Sequence, residues 1–152
     1  MRGILRWALV LAFGASLVVG SGTAMAGGLG DYRWASRPLL VFAPTADDPR
    51  LADTLSRIAA SRCDFVNRDM VLGELLGSGI GTLDGRALDT DDVQQLRRQF
   101  GIDENAFTVV LIGKDGGEKY RVTGVPDLRV IYAVIDGMPM RSRETSDDPG
   151  RC

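Results

Sequence analysis

The stretch Val41–Leu51, VFAPTADDPRL, sets two carboxylates, Asp47 and Asp48, beside Pro49 and the guanidinium of Arg50. Neighbouring carboxylates can hold a divalent ion or divide acid and base roles between them. At a helix start the same two acids can cap free backbone N–H groups. Arg50, together with those N–H groups, can take a carboxylate or another small anion, although the adjacent acids weaken the field for one. Asp47, Asp48 and Arg50 are therefore the candidate ligand-binding residues, with capping as the competing reading of the two acids.

The remaining reactive side chains exclude more than they offer. The chain has no histidine, which removes Ser-His-Asp triads, Cys-His pairs and the common zinc sites. Its two cysteines, Cys63 and Cys152, stand far apart, and there is no CxxC. Thiol catalysis needs a thiolate at a helix N-terminus and usually a second thiol to resolve the mixed disulfide, whereas Cys63 is expected near the far end of the first helix. An even pair in an exported protein favours a structural disulfide. The polar stretch leading to Cys152 leaves the bridged and unbridged forms both open.

Three further motifs resolve to structure. GKDGG, from Gly113, lacks the spacing of a phosphate loop and separates two strand-like runs, where that loop would have to open a helix. DTDD, Asp89–Asp92, lacks the central glycine and late glutamate of a calcium loop and reads as a helix cap. Met138 and Met140 offer two thioethers to copper(I), but no histidine or thiolate completes the set. No catalytic residue, metal or cofactor is expected.

The first residues have the pattern of an export signal. Arg2 and Arg6 precede WALVLAFGASLVVG, and AMA, ending at Ala26, supplies small residues for cleavage. Gly14, Ser16, Gly20, Ser21 and Gly22 shorten the apolar run below the roughly 20 residues that a membrane span requires. Residues 1–26 are thus expected to be a signal peptide, and the mature chain to be periplasmic or extracellular. Removing them leaves 16 basic against 20 acidic side chains, a net charge of −4. That balance gives no electrostatic reason to bind nucleic acid or an anionic membrane surface. The expected partner is a protein or a small anionic ligand.

With 152 residues, 45% hydrophobic and 25% charged, the chain suits one globular domain. Residues 27–31 read as a glycine-rich leader. RPLLVFAP is a strand covered on both faces, followed by a helix with Asp48 as N-cap, Pro49 in its first turn, and Leu51, Leu55 and Ile58 on one side. RDMVLGELL supplies a second, parallel strand, GSGIGTLDG a loop, and TDDVQQLRRQFG a short amphipathic helix stopped by Gly101. FTVVLI and EKYRVT flank a turn as a hairpin. DLRVIYAVID is a last helix with Asp127 as its cap, and residues 145–152 read as a mobile tail. The order β-α-β-α-β-β-α gives an α/β domain over residues 32–144, with a mixed four-stranded sheet and three helices.

Four blocks in order, YRWASRPLLVFAPTADDPRL, the pair Arg68–Asp69, VVLIGKDGGEKYR and IDGMPMR, resemble the bacterial branch of the P-DUDES family, domain of unknown function 4174. The resemblance runs from Tyr32 to Glu144. It implies a thioredoxin-like fold and relatives among vertebrate extracellular-matrix proteins, and it brings no established reaction. In that fold the start of the first helix carries the redox cysteines, and here it carries Asp47, Asp48, Pro49 and Arg50. A non-catalytic binding or scaffold role follows, with an antioxidant or thiol-redox enzyme of unusual kind as the alternative. Intact-mass analysis of the exported protein should find its N-terminus at residue 27; an uncleaved, membrane-held precursor would be the contrary result.

Overall fold

The computed structural model describes residues 26–147 and Cys152; the segment expected to be the signal peptide lies outside the described residues, except for Ala26. The architecture is organised by β1, Arg37–Ala43, whose seven residues are all buried. A strand covered on both faces needs partners on both sides, and β1 pairs in parallel with β2, Met70–Leu76, and antiparallel with β5, Thr108–Ile112. Beyond β2 lie β3, Gly81–Leu83, and β4, Arg86–Leu88; beyond β5 lies β6, Glu118–Val122. The sheet has six strands in the order β4-β3-β2-β1-β5-β6.

Of the two strands beyond the expected four, β3 comes from the stretch read as a glycine-rich loop and β4 from the residues just after it. Asp84 and Gly85 both have positive φ, 52° and 75°, as a two-residue hairpin turn requires for its twist to match the flanking strands. Strands of three residues are too short to show alternation, so only the Asp-Gly pair signals them.

Alternate residues of β1 face different layers. Leu39, Val41 and Ala43, with Val109 and Leu111, pack under α1, Pro49–Ala60, α2, Arg62–Asn67, and α4, Leu128–Asp136. Leu40 and Phe42, with Leu75, Leu83 and Val110, pack under α3, Thr90–Phe100, through Val93 and Leu96. Leu29 joins this second layer at 2% exposure. It belongs to a 3-10 helix, Ala26–Tyr32, so the expected leader is built into the core.

The helices also depart from expectation in number. Ser61 interrupts the first helical stretch, and Cys63 falls in the first turn of α2, not near the end of α1. A fifth helix, α5, spans Pro139–Asp147, so the stretch read as a tail from residue 145 begins helical. α5 has almost no apolar stripe, and its fixing is ionic. Arg37, 1% exposed, donates from Nη1 and Nη2 to the two carboxylate oxygens of Glu144, both at 3.1 Å. Lys114 Nζ lies 2.7 Å from Glu144 and 2.7 Å from Asp69. Chemistry beyond propensity therefore places the C-terminal segment against the start of β1.

Phe42 is fully buried between β1 and α3, and Leu55 is half-buried on the opposite layer. Phe42→Ala should cost about 3–5 kcal/mol, and Leu55→Ala should fall toward or below the lower end of the roughly 2–5 kcal/mol seen for core leucines. Denaturant midpoints measured at constant m-value check both.

Candidate functional site

The C-terminal end of β1 is where a sheet of this kind opens toward ligands, and three loops meet there. They are the β1–α1 turn from Pro44 to Asp48, the β2–β3 turn from Gly77 to Ile80, and the segment from Gly101 to Phe107 that leads into β5. The approach is close at Gly77: a Cβ there would stand 2.4 Å from the Glu104 carbonyl and 2.8 Å from that of Pro44. Only glycine lets the backbones meet at that distance.

Asp48 caps α1 in extended backbone geometry, and its Oδ1 accepts the Arg50 backbone N–H at 2.9 Å. The same carboxylate also takes the Arg50 guanidinium, with Nε donating to Oδ1 at 3.0 Å and Nη2 to Oδ2 at 2.7 Å. The hydrogen bond from Arg50 is the largest influence on the Asp48 carboxyl and holds it below its ordinary pKa. Arg50 also lies over the Phe107 ring, 4.9 Å from its centroid. Its positive charge thus already has a carboxylate and an aromatic face as partners. Asp47 is exposed, and a hydrogen bond with the Thr45 side chain lowers its pKa.

Two residues that shape this corner escaped the sequence reading. Phe107 immediately precedes β5 and offers no polar signal of its own. Arg97 lies on α3 with 3% exposure. Its Nη2 donates to the Ala43 and Leu75 carbonyls at 2.9 and 3.0 Å, and its Nη1 donates to the Asp103 carbonyl at 2.7 Å. One guanidinium therefore joins the ends of β1 and β2 to the loop before β5. The signal was present: Arg97 follows Val93 by four residues and Leu96 by one, which puts a cation on the buried side of an amphipathic helix. Burial presses its pKa down, and the negative charges of Asp103 and Glu104 offset this only in part.

The cysteines are elsewhere. Cys63 and Cys152 are joined by a disulfide with a Cα separation of 5.5 Å, on α2 and away from the start of α1. Trp34 precedes β1 and Arg37 is its first residue, so both stand at the opposite end of the strand. Among the described residues no three His, Cys, Asp or Glu side chains gather to hold a metal, and no helix is long and apolar enough to cross a membrane. The corner can cap, clamp and present a surface, but it offers no nucleophilic sulfur.

This architecture is that of a thioredoxin-like α/β domain. It is similar to the reduced 2-Cys peroxiredoxin of Plasmodium vivax, with TM-score 0.54 and 14% identity over 76% of this chain and 84% of that one. It is likewise similar to the mitochondrial 2-Cys peroxiredoxin of Plasmodium falciparum, with TM-score 0.53 and 13% identity over 82% and 85%. Residues 28–144 match the family described as Domain of unknown function (DUF4174), and the chain belongs to that family. Among relatives, Coiled-coil domain-containing protein 80 of Danio rerio is 24% identical over 76% of this chain, and the Sushi repeat-containing protein SRPX of Rattus norvegicus is 27% identical over 86%. The chain spans only 15% and 29% of the lengths of those two proteins.

Asp48→Ala should cost about 0.5–2 kcal/mol, as loss of an N-cap does. Because the folded-state pKa is lowered, the contribution of Asp48 is complete above the ordinary aspartate range. It is lost as pH falls below about 4 through the folded value. Arg97→Ala removes three charge-assisted hydrogen bonds, each about 1.5–3 kcal/mol, although the Ala43 and Asp103 carbonyls keep the Gly77 and Ala106 N–H groups as donors, so its loss should exceed that of Asp48→Ala. Urea unfolding at pH 7 and pH 3 measures both effects.

Proposed function

We propose that this chain is an exported, non-catalytic binding or scaffold domain from the bacterial branch of the P-DUDES family, one that keeps the thioredoxin-like frame without its thiol chemistry. The observation that carries this reading is the Asp48–Arg50 pair. At the helix start where a thiolate would be activated, a carboxylate is fixed by the backbone N–H and the guanidinium beside it. A carboxylate cannot form the mixed disulfide through which thiol exchange proceeds, and no second thiol stands beside it to resolve one.

Export is supported by the signal-like residues 1–26 and by the bonded cysteine pair, which suits an oxidising compartment. A binding role is supported by the long relatives, in which the matching region is a small part of the protein. A protein partner fits the corner better than a small anion, because an anion at Arg50 would have to displace Asp48. The thiol-redox alternative rests on the solvent exposure of Cys63 and Cys152.

Thiol titration of the purified protein separates the two. Under the binding reading no thiol reacts before reduction, two react after it, and the reduced protein consumes hydrogen peroxide no faster than its Cys63→Ser variant. A low-pKa thiol that cycles with peroxide would instead establish the redox reading.

A further inference from the structure

The ion cluster at the start of β1 has the make-up of a receptor whose ligand belongs to the same chain. Arg37 presents two donors to one carboxylate in parallel, the geometry by which a guanidinium recognises that group. Lys114, 8% exposed, adds a third cationic donor, and Arg141 approaches the same carboxylate at 3.6 Å. Asp69 also pairs with Lys114, at 2.7 Å. The Arg37 Nε is buried and has no hydrogen-bond partner among the described residues. The cationic side chains rest on the sheet and its loops: Arg37 begins β1 and also bonds the Arg68 carbonyl at 2.9 Å, and Lys114 sits in the β5–β6 turn, whose backbone carbonyl accepts the Trp34 N–H at 2.6 Å. The carboxylate comes from α5, which has little apolar surface of its own.

We propose that Arg37 and Lys114 form a binding site for a peptide carboxylate, that Glu144 occupies it in the oxidised chain, and that the Cys63–Cys152 bond governs whether an outside acidic peptide can replace Glu144. The disulfide ties Cys152, eight positions after Glu144, to α2 on the body of the domain. That tether keeps the local concentration of Glu144 high, as any intramolecular ligand is favoured over a free one. Both cysteines are exposed, so a dithiol can reach the bond. In the exchange the dithiol gives two electrons and two protons, its own sulfurs close into a disulfide, and Cys63 and Cys152 become thiols. Glu144 then keeps its ion pairs, its chain link to α4 and the Arg141 bond to the Asn67 carbonyl, but α5 loses its second tether, and a second carboxylate competes with Glu144 more easily. Burial works to raise the Glu144 carboxyl, but hydrogen bonds from Arg37 and Lys114 outweigh it and keep the group ionised.

This site names a ligand class for the binding role, yet it shares no residue with the Asp48–Arg50 corner, so the two readings can fail separately. The full chain with Glu144→Ala opens a gap of carboxylate shape. Acetate at about 100 mM should raise the Tm of this variant above its value in chloride of equal ionic strength. It should not do so for the wild type or for the variant that also carries Arg37→Met. If Glu144→Ala is unfolded in chloride, refolding by acetate is the readout.

In a second arm, a fluorescent peptide with the sequence of Pro139–Asp147 is titrated into the wild-type chain. Binding should be at least tenfold tighter to the reduced than to the oxidised protein, and a peptide with glutamine for Glu144 should not bind. Equal response to acetate and chloride would overturn the carboxylate site. Equal peptide binding in both redox states, or binding of the glutamine peptide, would overturn control by the disulfide. Neither result would bear on the Asp48–Arg50 corner.

Discussion

A guanidinium taken out of water must have its charge paired and most of its donors met inside the protein, because an unpaired buried charge costs more than most domains can absorb. β1 has such a group near each end. Arg37 is the first residue of the strand and is met by Glu144 and the Arg68 carbonyl. Arg97 reaches the last residue of the strand from α3 and is met by carbonyls alone. These two requirements fix what happens at both edges of the sheet. One draws the C-terminal helix back to the N-terminal edge, and the other gathers three loops at the C-terminal edge.

The two edges differ in what their charges leave available. At the Arg97 edge the strand ends are clamped through backbone atoms, and the side chains of the β1–α1 turn largely satisfy each other. Asp48 and Arg50 form a closed pair, and Phe107 covers one face of the guanidinium. At the Arg37 edge the satisfying group is a side chain from a helix that contributes little to the core. A backbone clamp cannot be exchanged for another ligand, but a carboxylate on a tethered helix can be. The exchangeable contact therefore lies away from the corner that thiol enzymes use.

Placing the disulfide on α2 follows the same division. Its sulfurs are remote from the start of α1, and both cysteines lie at the surface of the domain. Cross-links of long loops restrict the unfolded chain, and this one closes a separation of 89 residues. It also anchors the end of the segment that supplies Glu144.

By itself the sequence determined the local elements and the chemistry that is absent. The caps at Asp48, Asp89 and Asp127, the stop at Gly101 and the covered run of β1 are all readable, because capping residues and apolar period act over a few positions. The missing histidine and CxxC are equally plain. Short strands and the Ser61 interruption were not legible, since three residues show no period and one serine carries no signal. Tertiary structure alone decided the partners of Arg37 and Arg97, the placing of Phe107 over Arg50, and the meeting of Cys63 with Cys152. Apart from the six-position reach of Arg97 to Asp103, those contacts join residues 22 to 107 positions apart, and nothing in a local pattern says which buried cation will face which oxygen. Charge burial forces every such cation to find a partner, but only the packed layers choose it.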